Sequence, residues 1–216
     1  MHSFACTDDQ LACMDILLEY GANPSQAHAY SPSPLNTILT RACVPALARM
    51  KETGALAKNI DAGVEGNSYG HHICSPLRWR DLGSRYPLDE MMALLISAGM
   101  DPTRNLFDPN REQPLIRYLL SSCVPQYGKQ TPVSAENACL RVLEADNHTA
   151  IEPSFLVHAF RAGYNKAFKA LAKRYEAQGH DISILARAPG ITKDTERAQY
   201  DAWLLDAFST EPSPAA

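Results

Sequence analysis

This chain has no apolar run approaching the roughly 18–20 residues that a membrane-spanning helix requires. Its opening residues, MHSFACTDDQ, lack the basic segment and apolar stretch of a secretory signal. Charge of one sign is lacking too. With 20 basic and 24 acidic side chains the net charge is -4, so no global field draws the chain to nucleic acid or to an anionic membrane. Aromatic residues are few, and the P-loop, the dinucleotide glycine pattern and G-x-S-x-G are all absent. Each of those motifs exists because a phosphate or an oxyanion needs backbone N–H groups at close approach, so their absence removes the common nucleotide-dependent and serine-hydrolase readings.

What is present is an ordinary globular composition. The 216 residues are 45% hydrophobic, enough for one large or two small domains with a real core. Proline outnumbers glycine, 15 to 11, which predicts short, punctuated elements. Six cysteines (Cys6, Cys13, Cys43, Cys74, Cys123 and Cys139) are scattered along the chain, with Cys13 and Cys139 inside apolar helical patterns. Reduced, mostly buried thiols in a cytoplasmic protein are the expectation. The triplet Asn147-His148-Thr149 matches a glycosylation acceptor, but no secretory signal accompanies it.

Two phrases recur. The first, an apolar helical run ending in glycine, then a small or apolar residue, then Asn or Asp, appears as LLEYGANPSQ (Leu17 to Gln26) and LLISAGMDPT (Leu94 to Thr103), and more weakly as Lys51-Glu52-Thr53-Gly54-Ala55. Glycine after the last apolar residue admits the left-handed conformation that ends a helix. The second phrase is Ser33-Pro34-Leu35, Ser75-Pro76-Leu77 and Gln113-Pro114-Leu115. Proline suits a first helical turn, where its missing N–H has no partner to lose, and a preceding serine can cap that turn. Gly21 to Pro34 spans 13 residues and Pro34 to Gly54 a further 20, together 33, which is the length of an ankyrin unit.

In both phrases, and in their order and spacing, the sequence resembles the ankyrin repeat family over about residues 5–146, and by analogy over 150–185. The resemblance implies a β-turn and two antiparallel helices per unit, with an x-Pro-Leu phrase opening the inner helix and a Leu-Leu-x-x-Gly phrase closing the outer one. It departs in length. Gly54 to Pro76 is 22 residues and Pro76 to Gly99 is 23, with surplus in Ala62–Cys74, where the family places its protruding finger, and in Leu82–Pro87. Val124–Ser134 is a further insertion rich in turn formers. Pro153–Arg161 and Asn165–Gln178 form a fifth pair, the second carrying Ala167, Phe168, Leu171, Ala172 and Tyr175 at helical spacing before Gly179. Asp194–Phe208 is a last helix burying Trp203, Leu204 and Phe208.

The expected fold is therefore all-α, an ankyrin-like helical solenoid of about four to five helix pairs. Its repeat domain covers 1–185, with units at roughly 1–30, 31–72, 73–110, 111–150 and 151–185. A C-terminal helix at 186–209 and a disordered tail at 210–216 complete it. Residues 10–20 supply an outer helix, but Met1–Thr7 is too short for an inner helix before it, so the chain reads as a fragment of a longer array or as an irregular start.

Candidate chemistry is thin. His71-His72-Ile73-Cys74 carries zinc-ligand types, but a structural site needs four ligands and no CxxC or HxxxH companion is present. Packing at the base of the finger is the competing reading. Cysteine catalysis would need a thiolate beside an oriented histidine, with His28, His148, His158 and His180 as possible bases. Asp8-Asp9 and Asp89-Glu90 stand at helix starts, where the helix dipole accounts for them. The basic run Arg161, Lys166, Lys169, Lys173, Arg174 is either an anion-binding strip or the solvated face of an amphipathic helix. Trp79, flanked by Arg78 and Arg80, falls where the family's side chains point into the concave groove, as do Thr37 and Arg117. Alternatively, Trp79 packs beneath the finger.

The expected function is protein–protein interaction through groove and finger residues Thr37, Tyr69, His71, His72, Arg78, Trp79, Arg80 and Arg117. No catalytic residue, cofactor, metal, nucleic acid or membrane takes part, and the chain is monomeric unless its N-terminal end packs on another chain. The alternatives are a hydrolase or metal-binding protein using His71–Cys74, or a regulatory segment of a larger multidomain protein.

Overall fold

The computed structural model describes residues 6–27, 32–60, 69–75, 85–103, 114–123, 132–187 and 190–209. Among them every regular element is helical: α1 (Asp8–Glu19), α2 (Pro34–Thr40), α3 (Val44–Glu52), α4 (Ala55–Asn59), α5 (Tyr69–Cys74), α6 (Leu88–Ser97), α7 (Leu115–Cys123), α8 (Ala135–Ala145), α9 (Pro153–Ala162), α10 (Asn165–Ala177) and α11 (Asp194–Phe208), with a 3-10 helix at Ile182–Arg187. No helix of the described residues is long and apolar enough to cross a membrane.

Local chemistry explains the helix starts. Thr7 and Gln10 form a reciprocal capping box on α1: the Gln10 N–H donates to Thr7 Oγ1 at 3.2 Å and the Thr7 N–H to Gln10 Oε1 at 3.0 Å. Ser33 Oγ accepts the Asn36 N–H at 3.1 Å, with Pro34 in the first turn of α2. Pro114 stands one residue before α7, and its carbonyl accepts the Tyr118 N–H at 3.0 Å. Pro76 lies outside the described residues.

The helix ends repeat one device. Gly21, Gly99 and Gly179 have φ of 79°, 100° and 80°, and the residue after each donates to the carbonyl five positions back: Ala22 to Leu17, Met100 to Leu95, His180 to Tyr175. One residue further, an Asn or Asp side chain accepts a backbone N–H two positions on. The pairs are Asn23–Ser25 at 2.9 Å, Asp101–Thr103 at 2.8 Å and Asp181–Ser183 at 2.9 Å. After α8, which ends without glycine, Asp146 does the same for His148 at 3.0 Å and Thr149 at 2.9 Å. The orphan carbonyls at each helix end are satisfied, and the chain is turned toward the next helix.

Packing follows two successions. α2 packs on α5, α5 on α7 and α7 on α9; α1 packs on α3, α3 on α6, α6 on α8, α8 on α10 and α10 on α11. Cross-contacts join α2 to α3, α5 to α6, α7 to α8 and α9 to α10. We call these the first and second rows. The core between them holds Leu35, Leu39, Leu47, Met50, Met92, Leu95, Ile116, Leu119, Val142, Phe155, Leu156, Phe168 and Leu171, all buried. Each such side chain contributes about 1.5–3 kcal/mol by leaving water.

Three expectations are corrected. Residues 69–74, expected in a protruding finger, form α5, a helix against α2, α6 and α7. Gly70 permits this approach, since a Cβ there would lie 2.8 Å from both Leu115 Cδ2 and Met100 Sδ. Of the cysteines expected to be reduced, Cys6 and Cys43 are joined in a disulfide, while Cys74 and Cys139 are buried and Cys13 is an exposed thiol. Finally, the basic run is not a uniformly solvated strip. Arg161 pairs with Glu196 at 3.3 Å, Lys169 with Asp206 at 2.8 Å, and Arg174 is half-buried against the loop after α8.

The last helix, α11, docks through four rings. Phe160 and Phe168 each meet both Tyr200 and Trp203 edge-to-face, at centroid distances of 5.2–5.4 Å. Leu204 is buried as expected, whereas Trp203 and Phe208 are half-buried and Tyr200 is the fully enclosed residue.

Candidate functional site

The partner-facing residues expected from sequence converge on the first row, where α2, α5, α7 and α9 follow one another. Thr37, on α2, is half-buried, and its hydroxyl donates to the Ser33 carbonyl at 3.2 Å. On α5, His71 is half-buried and its ring lies 5.2 Å from Tyr118 of α7, tilted by 53°. Arg117, beside Tyr118, reaches Glu152 at the start of α9 at 3.6 Å. His71, Tyr118, Arg117 and Glu152 therefore form a polar strip across α5, α7 and the start of α9, with Thr37 on the neighbouring α2.

Tyr69 and His72 do not join it. Tyr69 is 0% exposed and its hydroxyl shares a hydrogen bond with Ser25 Oγ at 3.1 Å. His72 is 6% exposed, with Nε2 3.4 Å from Thr40 Oγ1. Both are interior groups because α5 is wedged among its neighbours, so their role is to satisfy polar atoms in the core. Arg78, Trp79 and Arg80 lie outside the described residues.

The strip is electrostatically uneven. Burial raises the Tyr118 hydroxyl above its ordinary range, against the opposing hydrogen bonds of Ser75 and Ser122. His158, on α9, is pushed down by burial first and then by the positive charges of Arg161 and Arg117. Its Nδ1 is enclosed and makes no hydrogen bond among the described residues. The uncharged imidazole is thereby favoured, and the charged pair of the strip is Arg117 and Glu152.

Tyr118 was not singled out from sequence and His158 was named only as a possible base for cysteine catalysis, although a signal for both exists. Each stands three residues after a buried residue opening its helix, Leu115 or Phe155, as Ile38 stands after Leu35. All three are half-buried. The groove register singled out the position two after the leucine, and the next position along shares the same exposed edge.

No group of three His, Cys, Asp or Glu side chains among the described residues is arranged to hold a metal ion. Two open clefts lie away from the strip. One, of about 490 Å³, is lined by Lys51, Leu94, Arg141 and Glu144 on the second row; the other, of about 510 Å³, by Ile182, Leu204, Leu205 and Phe208 at the C-terminal end. Arg141 in the first is engaged by Asp89. No family model, curated protein or solved structure matches the chain.

Proposed function

We propose that this chain is an ankyrin-like helical repeat module that binds another protein through the exposed edge of α2, α5, α7 and α9. The observation that carries the reading is the paired succession of contacts, in which each first-row helix touches the next and also its second-row partner. Stacked helix pairs of this kind form extended recognition surfaces. The strip of Thr37, His71, Arg117, Tyr118 and Glu152 has the mixture of aromatic and arginine side chains that dominates interface energetics. The repeated helix exits at Asn23, Asp101, Asp146 and Asp181 support the same unit-by-unit reading. Trp79, with Arg78 and Arg80, belongs to the proposed surface on sequence grounds. The Cys6–Cys43 disulfide withdraws the cysteine argument for a cytoplasmic location.

The test is affinity capture with the intact chain, compared with Arg117→Ala and Trp79→Ala variants whose melting temperatures are measured in parallel. A partner held by the parent chain should bind each variant more weakly, by about 2 kcal/mol for Trp79→Ala, with melting nearly unchanged. Equal binding by both folded variants would overturn the surface. A marked fall in the melting temperature of Trp79→Ala, with affinity intact, would make Trp79 a core residue.

A further inference from the structure

Within the second row α1 is unlike the helices that follow it. α3 packs between α1 and α6, α6 between α3 and α8, and α8 between α6 and α10, whereas α1 packs on α3. It has no buried residue. Met14 and Leu18 rest on the core, and Asp15 accepts from Arg49 Nε of α3 at 3.1 Å. The opposite side carries Cys13, Ile16, Leu17 and Tyr20, spaced i, i+3, i+4 and i+7, so they form a single stripe. That stripe faces solvent: Ile16 is 54%, Leu17 59% and Tyr20 87% exposed. Among the described residues, these are three of only seven large apolar side chains so exposed.

Charge narrows what could cover the stripe. The helix, DDQLACMDILLE, contains four acidic residues and no basic one. Asp15 is engaged by Arg49, but Asp8, Asp9 and Glu19 are exposed. Asp9, four residues before Cys13, lies in line with the stripe, and Glu19 flanks it. A second copy of α1 laid against this face would set carboxylates against carboxylates, which costs affinity. The exposed apolar end of the same chain, around Leu205, is flanked by Asp201 and Asp206 and offers no better match. The capping box at Thr7 and the disulfide at Cys6 hold the start of α1 in place, so the stripe is presented without an ordering cost at binding.

We infer that the outward stripe of α1 is a second docking surface, separate from the first-row strip, for an amphipathic helix of another protein that offers apolar residues at helical spacing flanked by lysine or arginine. The apolar contacts supply affinity, and the acidic flanks select basic helices and accelerate their approach.

The experiment uses the intact chain, without reductant, and fluorescence anisotropy of three labelled peptides. One is a helical leucine/lysine peptide with its leucines on a single face, one is the glutamate equivalent, and one is a scrambled leucine/lysine control. The first should bind and the other two should not. Ile16→Ser/Leu17→Ser should weaken binding at least about tenfold. Asp9→Asn/Glu19→Gln should weaken it several-fold and flatten its salt dependence, and Arg117→Ala should leave it unchanged. All four positions in the two double variants are exposed, and circular dichroism checks that the variants fold. Equal binding of the glutamate or scrambled peptide, or undiminished binding to the serine variant, would overturn the inference. So would sedimentation showing a parent dimer that the serine variant dissociates, since a second copy would then be the occupant.

Discussion

The guanidinium of Arg174, on α10, lies 3.6 Å from the carboxylate of Asp146, which closes α8 and is 1% exposed. The same guanidinium donates to the carbonyls of Asp146, Leu143 and Thr149, while Gln178, which caps α10, donates to Thr149 at 2.9 Å and accepts the Ile151 N–H at 2.9 Å. Two side chains at the end of α10 thus hold the connection between α8 and α9. Arg174→Met keeps much of the packing but strands those carbonyls and leaves the buried carboxylate with its two backbone N–H donors and no counter-charge. Urea denaturation should show a loss of about 2–4 kcal/mol. A loss below about 0.5 kcal/mol, the range of ordinary surface changes, would show that water replaces the guanidinium at no cost.

Gly99 tests the helix exits. A Cβ there meets nothing within 4 Å, so the penalty for substitution is purely conformational, at φ of 100°. Gly99→Ala should cost on the order of 1 kcal/mol, and Gly99→Asn less, because asparagine tolerates the left-handed region. Equal melting temperatures for all three chains would mean that the exit does not depend on this conformation.

Tyr200 predicts behaviour in alkali. Burial raises its hydroxyl far above the ordinary value near 10, with the charge of Asp201 adding to the effect and Arg197 opposing it. The folded state therefore prefers the neutral phenol. The stability tied to that preference is complete below about pH 10, where the unfolded tyrosine begins to ionise, and is lost as pH rises beyond it. Its hydroxyl has no hydrogen-bond partner among the described residues, so Tyr200→Phe should be nearly neutral at pH 7 and more stable than the parent above pH 10. Parallel melting curves from pH 7 to 11 decide this.

His158 predicts the acid side. With its pKa depressed by burial and by Arg161 and Arg117, the neutral imidazole is favoured in the folded state. The associated stability is present above about pH 6.5 and is lost as pH falls through the folded-state value. In proton NMR the His158 resonance should titrate below 6.5, and Arg117→Ala should move its midpoint upward. A midpoint unchanged by Arg117→Ala would show that the two helices do not share an electrostatic environment.

Reduction of Cys6–Cys43 should act locally. The bond ties the start of α1 to the corner between α2 and α3, and α1 buries no residue of its own. With reductant, amide exchange across Leu11–Glu19 should accelerate, while Met91–Leu95 in α6 keep their protection. Equal acceleration in both segments would mean that the disulfide supports the whole core.

The elements legible in the sequence were those whose own residues specify them. α10, read as Asn165–Gln178, ends one residue earlier, and α11 spans Asp194–Phe208 as read. The apolar spacing of α10 and the glycine after it are local signals. α5 was missed because YGHHIC has no helical apolar period; it is helical through its neighbours, with Gly70 against Met100 and Leu115. α4 is five residues long and carries no start signal. The disulfide joins positions 37 residues apart, a pairing only folding reveals. The x-Pro-Leu register located Thr37 on α2 and Arg117 on α7, both half-buried. The partnership of His71 with Tyr118 was not legible, because it depends on where α5 sits. The fourth exit, Gly179-His180-Asp181, repeats the phrase of Gly99-Met100-Asp101, but too little around it is shared for the kinship to stand out.

Those exits bear on how such a chain can change over generations. Those after Gly21, Gly99 and Gly179 are written in a handful of neighbouring residues, whereas the exit at Asp146 is also held by Arg174 and Gln178. The chain between one such turn and the next can therefore lengthen while the turn keeps its form. Damage from a substitution in one of these turns should likewise stay near the helix end that suffers it. Long insertions between helices are compatible with an intact core for that reason, because they leave the turns as they are.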